Sequence, residues 1–317
     1  MALMKRMFAL VACVVMVLGM AQAAAAQQPS QIVVFGDSLS DPGNAFALLG
    51  SANTPPDYDL DPFLVPGAPY ARGGHHFTNG ATWVEQLARP LGLSGSVQPA
   101  FQLASPHATN FAVGGARARQ IATGVNLPTQ VQAYLQGAGG ARADALYVIA
   151  VGGNDVRDAL FAFSQGQDGG AIVGAALAST VQTIRTLHAA GARRFLIWNA
   201  PDIGRTPAIK RAGPGVAPFA TLISQGYNAN LAFLLGQLSS GLPGIQIVSF
   251  DAFALINEIA DSPSTFGMTN VTSACLTPNV APFACHEPNE YLFWDGIHPT
   301  VATHAIIAGR IGALLGW

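Results

Sequence analysis

Asp37-Ser38-Leu39-Ser40-Asp41 follows directly on the apolar run Ile32–Phe35 and Gly36, so a serine sits just past a stretch that reads as a buried strand. Far along the chain stands Trp294-Asp295-Gly296-Ile297-His298-Pro299. These side chains can do acyl transfer together. An imidazole takes a proton from a serine hydroxyl near neutral pH, and the serine oxygen then attacks a carbonyl. A carboxylate three residues before the histidine can turn onto one ring nitrogen and leave the other facing the serine. The chain order Ser, Asp, His does not decide the matter, because the same constellation recurs in unrelated orders. Each window also has a plainer reading. Ser38 or Asp37 could cap a helix that starts after Gly36, its amides facing the serine hydroxyl. Asp295 and His298 could form a turn before a last helix opened by Pro299-Thr300.

Acyl transfer also needs donors aimed at the oxygen that becomes negative in the transition state. Two windows offer them: Asn110-Phe111-Ala112-Val113-Gly114-Gly115-Ala116 and Val148-Ile149-Ala150-Val151-Gly152-Gly153-Asn154-Asp155. The amide of Gly115, the side chain of Asn154 and the amide of Ser38 are the three candidates. The glycines could instead make only tight turns, and Asn154 or Asp155 could cap helices. Their placement after successive strands favours a site, because open parallel sheets bind ligands at the carboxyl ends of their strands. Asp37 and Asp41 read as turn and cap residues. His75 and His76, in a glycine-rich loop, read as solvated. His188, near a helix end, reads as structural, and His304, six residues after His298, need not share its helix face. Trp294 could line the site, with core packing equally open.

The elements that must carry these groups are five strands: Ile32–Phe35, Thr109–Ala112, Leu146–Val151, Phe195–Asn199 and Ile245–Phe250. Helical stretches are read near Thr82–Leu91, Leu127–Gln136, Ile172–Ala190, Ala217–Ser239 and Val301–Leu315. The alternation argues for right-handed βαβ units and a parallel sheet. Ser51–Gly74 and Ser262–Pro288 are irregular, and long loops at strand ends commonly shape access to a site. There is no internal repeat and no linker, so residues 27–317 read as one α/β domain.

These windows together resemble the signature blocks of the GDSL, or SGNH, hydrolase superfamily. Gly36-Asp37-Ser38-Leu39 matches the block that names it, extended by Ser40-Asp41-Pro42-Gly43-Asn44. Gly115 matches the glycine of the second block, Asn154 the asparagine of the third, and Asp295 with His298 the fifth. Phe77–Glu85 is similar to a segment common in secreted GDSL esterases and lipases. The resemblance runs from about Ile32 to the C-terminus. It implies a three-layer α/β/α, flavodoxin-like fold with a central five-stranded parallel sheet. It also implies ester hydrolysis through an acyl-serine: Ser38, Asp295 and His298 as the triad, and Ser38, Gly115 and Asn154 as the oxyanion hole, with no cofactor.

Composition is consistent with this. Half of the 317 residues are hydrophobic and only 10% are charged, with a net charge of −2. Residues 1–26 read as a secretory signal, with basic Lys5 and Arg6, an apolar stretch Met7–Met20 and a small-residue end at Ala24-Ala25-Ala26. Its removal would leave Lys210 as the one lysine, so neither a nucleic acid nor an anionic membrane surface is an expected partner. No stable membrane anchor is expected, since the apolar stretch is short and no β-barrel sequence follows Trp317. Cys275 and Cys285, ten apart in an exported chain, are expected to form a disulfide that braces the Asp295 segment. His286 lacks the partners a metal site would need. The expected partner is a small-molecule or lipid ester, met in the periplasm or outside the cell. A carbohydrate O-deacetylase would use the same blocks with a polar pocket, and a silent binding module would need none of them.

Overall fold

The computed structural model describes residues 28–56, 58–102 and 107–317; the secretory signal read over residues 1–26 lies outside them. Four parallel strands form the central sheet in the order β1 (Ile32–Gly36), β2 (Leu146–Ala150), β3 (Arg194–Trp198) and β4 (Gln246–Phe250). They pair in simple register, Ile32 opposite Leu146, Leu146 opposite Arg194 and Arg194 opposite Gln246. The expected fifth strand is not a full one. Residues 109–113 run beside the free edge of β1 through a single parallel bridge, Val34 to Asn110. Three backbone bonds hold them there: Val34 N to Thr109 O, Phe111 N to Val34 O and Val113 N to Gly36 O. The side chain of Asn110 is diverted to Ser40 O and Ala112 N, which makes this segment a site-building turn as well as an edge.

Counting that segment as second, the spatial order is 2-1-3-4-5. Successive connections therefore leave in opposite directions at β1 and β2, and the crevice at their carboxyl ends is where such sheets take ligands.

Every residue of β1 and β2 is buried, as continuous apolar runs in a sheet covered on both faces must be. Their side chains alternate between two cores. Val33, Phe35, Tyr147, Ile149, Phe195 and Ile197 face α3 (Leu127–Ala138), α5 (Gly169–Ala189) and α7 (Val216–Gly241). Ile32, Val34, Leu146, Val148, Leu196 and Trp198 face α2 (Trp83–Ala88), α8 (Ala252–Asp261) and α9 (Val301–Leu315). The result is an α/β/α sandwich.

Four helices were not expected from sequence: α1 (Asn44–Leu49), α4 (Gly153–Ser164), the short α6 (Pro207–Arg211) between β3 and α7, and α8. The irregular stretch after residue 262 contains β5 (Asn270–Ala274), paired in parallel with β6 (Tyr291–Phe293). The disulfide between Cys275 and Cys285 closes the loop between these two strands. Among the described residues no helix is long and apolar enough to cross a membrane.

Candidate active site

Ser38 does not sit at a helix start. The chain turns at residues 37–43, and α1 begins only at Asn44. Asp41 caps it, accepting from Gly43 N, Asn44 N and Ala45 N at 2.6–3.0 Å, and reaches across to Gly114 N at 2.8 Å. That one carboxylate ties the serine turn to the glycine turn. Asp37 accepts from Leu39 N within the same turn. Burial pushes both carboxyls up to about 6, against the backbone bonds that favour their charged forms.

Gly36 is required where β1 ends. A Cβ there would meet Ala150 O at 2.8 Å, so no larger residue lets the strand turn this close to β2. Gln130 of α3 brackets it, accepting from Gly36 N at 2.9 Å and donating to Gly36 O at 2.8 Å. Asn44 donates to Asn110 O and Ala112 O at 2.8 Å each and accepts from Phe101 N. Neither Gln130 nor Asn44 is singled out by sequence spacing, because each acts on backbone far from it in the chain.

The serine, histidine and aspartate meet. His298 Nε2 is 2.8 Å from Ser38 Oγ, and His298 Nδ1 is 2.7 Å from Asp295 Oδ2. All three side chains are buried or nearly so, Ser38 at 9%, His298 at 3% and Asp295 at 0% exposure. Asp295 is held on both oxygens. Oδ1 accepts from Ile297 N and His298 N at 2.8 Å each, which fixes the Asp-x-x-His turn locally. Oδ2 accepts from Tyr70 Oη at 2.7 Å as well as from His298. Tyr70 lies 225 residues away in sequence, in the loop over residues 51–74, and no local pattern announces it.

That loop is docked on the Asp295–His298 turn. Gly296 N donates to Leu64 O at 2.8 Å, and a Cβ on Gly296 would lie 2.1 Å from Phe63 O. A side chain at 296 is therefore excluded by the loop backbone itself. Trp294, read from sequence as possible site lining, packs elsewhere. It stands edge-on to Tyr70 at 6.0 Å in a small core with Cys275 and Leu276, and it does not line the cleft. The disulfide thus braces the layer behind Asp295.

The donors divide. Asn154 lines the cleft with Ser38 and donates one amide hydrogen to Ala116 O at 2.9 Å, leaving the second for a ligand. Asp155 accepts from Ala118 N at 2.7 Å, so α4 is pinned to the turn that carries Gly115. Gly115 itself stands at the surface of that turn and is not among the residues lining the cleft. Among the described residues neither Ser38 N nor Gly115 N donates to any protein acceptor.

One histidine corrects the sequence reading. His76 is buried rather than solvated, with Nδ1 at 2.7 Å from Gly73 O and Nε2 at 2.9 Å from Glu85. Burial opposes its cation, but Glu85 outweighs that and raises its pKa. His304 is buried too, and its Nδ1 accepts from Trp83 N at 3.2 Å. Burial, followed by the nearby His298 and His76, pushes it down to about 3. His304 is therefore neutral in the folded protein. His75 stacks on Phe46 with ring centres 3.6 Å apart.

The cleft runs from Ser38, Asn154 and His298 between the ends of β3 and β4 and helix α8. Trp198, Phe250, Leu255, Ile256 and Ile307 make its walls, so it suits an apolar chain attached to a group held at the serine.

The family described as GDSL-like lipases and acylhydrolases matches residues 32–311. The chain belongs to this family. A GDSL esterase/lipase of Arabidopsis thaliana is 28% identical over 88% of this chain and 89% of its own length. A second from the same plant is 28% identical over 94% of this chain and 92% of its own. Esterase EstA of Pseudomonas aeruginosa is 30% identical over 96% of this chain but only 49% of its own length, so this chain spans about half of that relative. As a member of the GDSL-like lipase/acylhydrolase family, this protein is a carboxylic ester hydrolase.

Proposed function

We propose that this GDSL hydrolase is an exported, single-domain enzyme that cleaves lipid-type acyl esters through an acyl-serine on Ser38. The hydrogen-bonded run from Ser38 through His298 to Asp295, opening into an apolar cleft, carries the reading. His298 Nε2 accepts the hydroxyl proton as Ser38 Oγ attacks the ester carbonyl. Asp295 holds the imidazole through Nδ1 and balances the imidazolium that forms. The amides of Ser38 and Gly115 and the free hydrogen of Asn154 receive the developing oxyanion. The imidazolium returns its proton to the departing alkoxide. Water then gives a proton to His298, its oxygen attacks the acyl-serine, and the carboxylic acid leaves as the proton returns to Ser38. No metal or cofactor takes part in these steps.

The apolar walls favour an acyl chain over a sugar, which would need polar groups along the cleft. A disulfide and bacterial esterase relatives support export to the periplasm or beyond. Hydrolysis of p-nitrophenyl esters from acetate to palmitate by the wild type and Ser38→Ala tests the reading. We expect turnover that prefers chains longer than acetate and falls by about four to six orders of magnitude in Ser38→Ala. Near-normal turnover by that variant would overturn the mechanism.

A further inference from the structure

Three arginines gather beside the oxyanion donors. Two of them are neutralised by carboxylates. Arg117 forks onto Asp158 at 2.9 and 3.0 Å, and Arg119 bridges Asp155 and Asp158 at 2.6 Å each. The third is Arg157, half-buried on α4, which lines the same cleft as Ser38, Asn154 and His298. It stands three residues after Asn154, one turn along the same helix face. Among the described residues its guanidinium has no hydrogen bond and no ion pair. Asp158 beside it on α4, Asp61 from the loop over the site and Asp37 from the serine turn act on it only through space, and Arg117 repels it. Burial lowers its pKa, which is the mark of a cation held without enough compensation.

A partly desolvated, uncompensated charge is costly to hold, and the five donors of a guanidinium suit a phosphate or carboxylate in a forked geometry. Asp37, Asp202 and Thr206 also line the cleft, but most of its wall offers the acyl chain apolar surface, so the group that meets this cation belongs to the alcohol side of the ester. We propose that Arg157 is a specificity residue that binds an anionic group, phosphate or carboxylate, carried by the alcohol of the substrate. This rests on the ester-hydrolase reading of Ser38 above.

The test uses four octanoyl esters that differ only in the alcohol: 1-octanoylglycerol, its 3-phosphate, O-octanoylglycolate and O-octanoylcholine. Wild type, Arg157→Gln and Arg157→Lys are compared by kcat/KM. We expect the wild type to prefer an anionic ester over the neutral one by about tenfold or more, the yield of one charge-assisted contact. The phosphate and glycolate arms decide which anion it is. Arg157→Gln should collapse that ratio to near one and Arg157→Lys should keep part of it. A ratio near one in the wild type, or one that survives in Arg157→Gln, would overturn the proposal. Calorimetric binding of octyl phosphate against octanol to Ser38→Ala gives a second readout that needs neither turnover nor an Arg157 variant, and equal affinities there would also overturn it. Hydrolysis of none of the four esters, with octyl phosphate still bound preferentially, would sink the hydrolase reading and leave the anion site standing.

Discussion

His304 makes the protein sensitive to acid by an amount that can be worked out. Its Nδ1 accepts the Trp83 amide at 3.2 Å, so protonating that nitrogen would set one N–H against another inside a fully packed layer. The folded-state pKa is therefore pushed from 6.5 down to about 3. Between those values the unfolded chain binds a proton that the folded chain refuses, so stability falls as pH drops below 6.5. At pH 5 the gap is about 1.5 pH units, worth about 2 kcal/mol. Urea unfolding at pH 8 and pH 5 measures it, comparing the wild type with His304→Gln, whose side-chain oxygen can still accept from Trp83. Asp37 and Asp41, pushed up to about 6, act in the opposite sense, because the folded state takes their protons first. They are common to both proteins and cancel in the comparison. The wild type should lose about 2 kcal/mol more than the variant on going to pH 5. At an m-value of about 3 kcal/mol/M that is roughly 0.7 M in the midpoint. Parallel pH dependences in the two proteins would refute the buried neutral imidazole.

Tyr70→Phe removes one of the four bonds to Asp295 and should lower stability by about 1.5–3 kcal/mol, read as a fall in Tm. It should also reduce kcat on p-nitrophenyl butyrate by up to about tenfold with little change in KM, because the aspartate loses an anchor while the cleft is untouched. Gly296→Ala places a methyl 2.1 Å from Phe63 O, so the loop must lift from the catalytic turn. We expect a cost of about 1–3 kcal/mol and at least about a tenfold fall in kcat/KM; normal kinetics would show that the loop is not needed there. Reducing the Cys275–Cys285 bond opens a ten-residue separation, which the chain-entropy relation values at about 3 kcal/mol. Thermal unfolding with and without reductant checks that figure.

The sheet was legible because buried parallel strands must be apolar throughout, and Ile32–Phe35, Leu146–Val151 and Phe195–Asn199 all show it. The edge segment at 109–112 misled for a physical reason. Its backbone bonds to β1 on one side and to residues 96–100 on the other through single bridges at Asn110, while the Asn110 side chain serves the serine turn. Helix α8 was missed although it carries a signal: Ala252, Leu255, Ile256 and Ile259 recur at helical spacing and are all buried. Helix α4 was obscured by its own chemistry. Gly153, Asn154 and Asp155 look like a loop, and the apolar Val156, Ala159 and Leu160 begin only after them.

The candidate site side chains stood out in the sequence for a different reason from the strands. Their chemistry needs particular residue types, and His298 and Asp295 lie close enough in sequence to find each other through one turn. What holds them does not lie close in sequence. Tyr70 reaches Asp295, Gln130 brackets Gly36, Asn44 fastens residues 110–112, and the backbone at 63–64 occupies the space that Gly296 leaves open. Each acts on backbone or on a carboxylate from another element, so neither spacing nor periodicity records it. The same reasoning separates Arg157 from its neighbours. By sequence it is one arginine among three near two aspartates, and only the fold shows that Arg117 and Arg119 take both carboxylates and leave the third, which lines the cleft, without one.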